Sequence, residues 1–212
     1  MKRHFELNDI VLFQGDSITD WGRDRTNPAS LGGGYARFIA AWYGAKNPDK
    51  RVTFFNRGIS GNRVCDLAAR WQDDCMELRP TWVSILVGIN DVWRRFDSNS
   101  ITSAEDFEAT YRSILAPVRD RLDARVVMLE PFLLPMNDEQ KTRWRDDLDP
   151  KIQAVRRLAQ EFADVYVPLD GIFAAAAMKR GASYWVTDGV HPTDEGHALI
   201  AQSWLDAVKS LA

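Results

Sequence analysis

The sequence predicts an α/β fold: a three-layer α/β/α sandwich on a five-stranded parallel sheet. Three observations predict it. Five short apolar runs are spaced along the chain, longer segments of helical period separate them, and no repeat, low-complexity tract or linker-like stretch interrupts the 212 residues. Apolar runs too short for an independent helix, bounded by polar or turn residues, read as buried strands. Strands alternating with helices pair in parallel and are covered on both faces. One domain over residues 1–212 follows from this reading.

The strands are expected at Ile10–Phe13, Val52–Phe55, Trp82–Val87, Val126–Leu129 and Val165–Val167. From Val64 to Leu78, the residues Val64, Leu67, Ala68, Trp71, Cys75 and Leu78 fall on one helical face, and Arg79-Pro80 stops the run. From Ala104 to Leu122, Phe107, Tyr111, Leu115, Val118 and Leu122 repeat the pattern behind a Ser103 N-cap, with Pro117 expected to bend the helix. Leu148, Ile152, Val155, Ala159 and Phe162 mark another helix, and Ala198–Leu211 closes the chain.

Composition sets the bounds. At 45% hydrophobic and 27% charged residues, the chain is ordinary for a globular protein. A formal charge of -3, with no basic stripe, argues against nucleic acid as a partner. No window approaches a membrane span, and Glu6, Asn8 and Asp9 interrupt any apolar leader core near the start. Cys65 and Cys75 are too far apart on one predicted helix to bridge, and no Cys/His spacing suggests zinc. These features point to free thiols and a cytoplasmic location. The assembly state is left open, a homo-oligomer included.

Parallel sheets bind ligands at the carboxyl ends of their strands, so the residues there carry the functional reading. After the first strand stands Gly15-Asp16-Ser17-Ile18-Thr19-Asp20, and after the second Asn56-Arg57-Gly58-Ile59-Ser60-Gly61-Asn62. After the third stands Gly88-Ile89-Asn90-Asp91, and a late loop carries Asp188-Gly189-Val190-His191-Pro192. A serine, glycines, an asparagine and an Asp/His pair are the parts of a serine hydrolase. Taken singly, each has a plainer role: Ser17 as an N-cap, Gly58 and Gly88 as turn formers, Asn90-Asp91 as a helix start, Asp188 in an Asx-turn.

Taken together and in order, the four blocks resemble the SGNH hydrolases, or GDSL-type esterases, whose fold is flavodoxin-like. Ile18-Thr19 stands where the family name has leucine, which leaves the serine untouched. The longer runs GDSITD, NRGISGN and GINDVW resemble the carbohydrate acetylesterase branch, in particular acetylxylan esterases. The resemblance implies Ser17 as nucleophile, His191 as general base and Asp188 as the residue that orients it. It also implies an oxyanion hole from the backbone N–H groups of Ser17 and Gly58 and the side-chain amide of Asn90. The implied reaction removes O-acetyl groups from a carbohydrate, such as a xylan-derived oligosaccharide, without metal or cofactor. The rivals are a lysophospholipase or thioesterase of the same family, a catalytically silent sugar-binding protein, and a receiver-type domain. The last would need an acidic cluster where the first strand delivers serine.

Around these blocks, Trp21, Trp93 and Trp185 are read as loop aromatics that could stack on a sugar, with packing as the alternative. Arg23, Arg63 and Arg94 either hydrogen-bond a polar substrate or pair with nearby carboxylates. Asp16 is read as a loop hydrogen-bonder, His197 as structural and His4 as inert. Gly32-Gly33-Gly34 lacks the Lys-Ser/Thr of a phosphate loop and reads as a flexible loop.

Overall fold

A computed structural model describes residues 5–210, so His4 and Leu211 lie outside the described residues. The elements run β1 (Ile10–Gly15), α1 (Ser17–Asp20), α2 (Tyr35–Lys46), β2 (Thr53–Asn56), α3 (Val64–Ala69), β3 (Trp82–Leu86) and α4 (Ile89–Asp97). They continue with α5 (Ala104–Leu122), β4 (Arg125–Leu129), α6 (Arg145–Phe162), β5 (Val165–Val167), α7 (Leu169–Lys179) and α8 (Asp194–Ser210). All five expected strands are present, in one parallel sheet of order β2-β1-β3-β4-β5. The order reverses between β1 and β3, which is where such sheets open a ligand crevice.

The apolar runs are continuous because both sheet faces are buried, and the side chains divide between two cores with a period of two. Val11 and Phe13 of β1, Trp82 and Leu86 of β3, and Val127 and Leu129 of β4 face α2, α7 and α8. Leu12, Val83, Ile85, Val126 and Met128 face α3, α5 and part of α6. Ser84 points into the first core, where its hydroxyl accepts the indole N–H of Trp204 at 3.0 Å.

Three expectations need correction. The helix read from Val64 to Leu78 breaks at Arg70 and resumes as a π-helical turn, Gln72–Met76. At the break the Arg70 guanidinium reaches across to Asn62, Gln14 and Asp74. The apolar stripe still buries Val64, Leu67, Trp71 and Cys75. Both thiols are free, though not because a continuous helix separates them. The closing helix begins at Asp194 rather than Ala198. The triglycine, read as a flexible loop, is closely packed: Gly33 donates to the Trp21 carbonyl, and a Cβ on Gly34 would fall 2.8 Å from the His197 ring. By contrast, α5 matches its expected bounds and runs through Pro117, with Ser103 accepting the Asp106 N–H at 3.0 Å. No described helix is long and apolar enough to cross a membrane.

Trp204 is fully buried and lies 5.9 Å, ring to ring, from both Phe5 and Phe13. Trp204→Ala opens a cavity and strands the Ser84 hydroxyl, so it should cost about 3–5 kcal/mol. Urea unfolding followed by circular dichroism will read this as a lowered midpoint at unchanged slope.

Candidate active site

The site is built where β1 ends. Asp16 caps the single turn α1: one carboxylate oxygen accepts the Ile18 N–H at 3.0 Å, as the loop role predicts. Ser17 opens that turn, so its own N–H has no helical acceptor and remains available. Trp21 ends the turn in the left-handed region, at φ 33°.

The opposite wall is the late loop. Ser17 Oγ stands 2.9 Å from His191 Nε2, and His191 Nδ1 stands 2.7 Å from Asp188 Oδ2. Asp188 also forms the Asx-turn that its plainer reading offered, because its other oxygen accepts the N–H groups of Val190 at 3.0 Å and His191 at 2.8 Å. One carboxylate therefore shapes the loop and holds the imidazole. The loop is closed by an antiparallel bridge between Val186 and Pro192. It is held from outside by Leu134, whose N–H donates to the Gly189 carbonyl at 2.9 Å, and by Gln140, whose amide donates to the Asp188 carbonyl at 2.7 Å. Gln140 carries no motif signal. It is polar, buried and 48 residues away in sequence, so only the fold reveals it.

Asn90 lies in the first turn of α4, nearly buried, with one amide hydrogen on the Asn62 carbonyl at 3.1 Å. An amide has two such hydrogens, so one remains for a ligand. Gly58 departs from expectation. Its N–H is already donated, at 2.8 Å, to the buried Asn56 Oδ1. Its glycine identity has a steric origin instead, since a Cβ there would fall 2.4 Å from the Asp20 nitrogen. On the same loop Gly61, at φ 84°, has no acceptor for its N–H among the described residues. The Asn90–Asn62 hydrogen bond draws this turn toward Asn90.

The tryptophans divide differently from the loop reading. Trp21 lies 4.3 Å from the His197 ring and 6.3 Å from His191, while Trp93, inside α4 rather than on a loop, lies 5.6 Å from His191. Trp185 turns away: its indole N–H donates to the Ala176 and Arg180 carbonyls at the end of α7. Arg63 caps α3 and is held by Asp66 and by Ser100 Oγ at 2.9 Å, and Arg94 pairs with Asp97. His197 is structural, its Nδ1 accepting the Tyr35 N–H at 3.2 Å, and burial pushes it down to about 3.

Electrostatics separate the two members of the late-loop pair. Desolvation raises the Asp188 pKa, but the hydrogen bonds from His191 and Val190 prevail and bring it down to about 2. The Asp188 hydrogen bond raises His191 above its ordinary value, against the desolvation of the ring. Burial raises Asp16 and Asp91 to about 7; Asp91 ties α4 to α3 by accepting the Val64 N–H at 3.0 Å.

The profile of the GDSL-like lipase/acylhydrolase family matches residues 13–199. The chain belongs to this family. A curated acetylxylan esterase from Geobacillus stearothermophilus is 32% identical over 203 residues, covering 92% of this chain and 91% of its own. Among solved structures, a protein from Parabacteroides merdae described as a GDSL-like lipase superposes with a TM-score of 0.92 at 34% identity, covering 99% of each chain. The crystal structure of the Geobacillus acetylxylan esterase gives 0.89 at 32% identity, covering 98% of this chain and 96% of its own. This acylhydrolase is accordingly an ester hydrolase, with the α/β architecture of its structural neighbours.

The His191 ring should titrate above the ordinary 6.5, because protonation gains the Asp188 carboxylate as partner. Asp188→Asn removes that gain and leaves the desolvation, so the titration should move to lower pH. NMR of the ring protons will decide; an unchanged midpoint would show that Asp188 does not set it.

Proposed function

We propose that this protein is a serine esterase that removes O-acetyl groups from a carbohydrate, with xylan-derived oligosaccharides as the substrate class. The observation that carries the reading is the unbroken line Ser17–His191–Asp188, at 2.9 and 2.7 Å, on the wall of an open cleft at the strand ends. His191 Nε2 takes the Ser17 proton as Oγ attacks the ester carbonyl, and Asp188 holds Nδ1–H so that Nε2 is the accepting nitrogen. The tetrahedral oxyanion is met by the N–H of Ser17, the free amide hydrogen of Asn90 and the N–H of Gly61. Gly58 is left out because its N–H is occupied. His191 then protonates the departing sugar oxygen. Water repeats the sequence on the acetyl-serine and releases acetate.

Two observations support a sugar ester over a long acyl chain. The chain resembles an acetylxylan esterase over nearly its whole length. The cleft, of about 620 Å³, is lined by Ser17, Asp20, Trp21, Arg23, Arg25, Ser60 and His191, with no aliphatic side chain among its lining residues. Two aromatic rings, Trp21 and Trp93, flank His191, and Trp21 lines the cleft.

A serine-reactive phosphonate should label the protein once, and Ser17→Ala should abolish the label. A silent sugar-binding protein would take none. On acetylated xylo-oligosaccharides, followed by mass spectrometry, the enzyme should remove acetyl groups, each exchange of acetyl for hydrogen lowering the mass of the substrate by ~42 Da. Preference for esters of eight carbons or more would overturn the substrate assignment. Asn90→Ala should lower kcat by about 10² to 10³ with a much smaller effect on KM, as expected for a lost oxyanion donor.

A further inference from the structure

Of the arginines the sequence leaves open between substrate and carboxylate, Arg63 and Arg94 are paired with Asp66 and Asp97. Arg23 is not. No carboxylate lies within ion-pair distance of its guanidinium among the described residues, and its one side-chain hydrogen bond is from Nε to the Gly58 carbonyl at 2.9 Å. The neighbouring cations are satisfied: Arg25 is bonded to Asp20 at 2.5 Å, and Arg57 Nε stands 3.8 Å from Asp74. Arg23 is half-buried in the wall of the cleft that holds Ser17 and His191.

This geometry leaves a specific tool. The Nε tether fixes the plane of the guanidinium, and the two Nη groups remain as a free fork, a shape that matches a carboxylate in bidentate fashion. Burial disfavours the charged form, Asp20 opposes that effect, and Arg57 and Arg25 add to it, so the cation gains when an anion arrives. On this wall a single positive charge is left over, which suits a monoanion better than a phosphate dianion.

We propose that Arg23 is a carboxylate subsite: the preferred substrate is an acetylated oligosaccharide bearing a uronic acid next to the acetylated sugar. The inference rests on the esterase reading of the same cleft and names the decoration that reading leaves unspecified.

The experiment compares kcat/KM for two acetylated xylo-oligosaccharides, matched in length and acetyl position, with and without a uronic acid branch. The wild-type enzyme should favour the acidic substrate by about tenfold or more, as a charge-assisted hydrogen-bonded pair provides. The preference should shrink as salt is raised. Arg23→Gln should bring the ratio near one, and Arg23→Lys, which keeps charge but loses the fork, should fall between. A ratio within one variant does not depend on how much of that preparation is folded. A wild-type ratio of one or less, or a full preference retained in Arg23→Gln, overturns the subsite and leaves the esterase standing. Failure to deacetylate either substrate overturns the esterase reading, and the subsite with it.

Discussion

The structure depends on a lack of space where β1 turns into α1. A Cβ on Gly15 would fall 2.4 Å from the Leu86 carbonyl and 2.3 Å from Thr19 Oγ1, and one on Gly58 would fall 2.4 Å from the Asp20 nitrogen. The turn that carries Ser17 is thus wedged between the exits of its two neighbouring strands. Asn56 locks it in place: its amide donates to the Thr19 carbonyl at 2.6 Å and the Leu31 carbonyl at 3.0 Å, while its oxygen accepts the Gly58 N–H. A buried amide satisfied on both sides specifies one arrangement, because any slip would leave polar atoms unpaired away from water.

The imidazole side is held by different means. No strand delivers His191; the loop that does is fastened to the exit of β4 through Leu134, and that exit is anchored at Glu130. This buried carboxylate receives Arg156 at 2.7 Å, the Tyr166 hydroxyl and the Asp170 N–H at 3.2 Å. Arg145 and Asp170 add a two-pronged pair at 2.7 and 2.9 Å. Serine and histidine therefore belong to separately braced halves, and the 2.9 Å between them measures how well the halves meet.

What the sequence made legible follows from these forces. The strands were readable because burial on both faces leaves uninterrupted apolar runs, and α5 because one polar face and a serine cap mark it. Helix α7, LDGIFAAAAMK, shows little contrast between faces, and α2 follows three glycines with no side-chain cap, so neither was readable by periodicity. Ser17, Asn90, Asp188 and His191 stood out because the blocks at the strand ends and in the late loop, taken together and in order, resemble one hydrolase family. The choice between Gly58 and Gly61 was not readable, since it turns on whether Asn56 has already taken an N–H. The choice between packing and sugar contact for Trp185 was not readable for a similar reason: nearness in sequence to Asp188 says nothing about which way an indole faces.

The π-helical turn Gln140–Trp144, which runs directly into α6, carries one consequence for how this chain can vary. A π turn holds one residue more than an α turn, and each residue is worth about 100° of rotation. Deleting a single residue between 140 and 144 would restore an ordinary helix, yet swing the amide of Gln140 off the Asp188 carbonyl. A length change in this helix would therefore be felt at the loop that carries Asp188 and His191, 48 residues away in sequence.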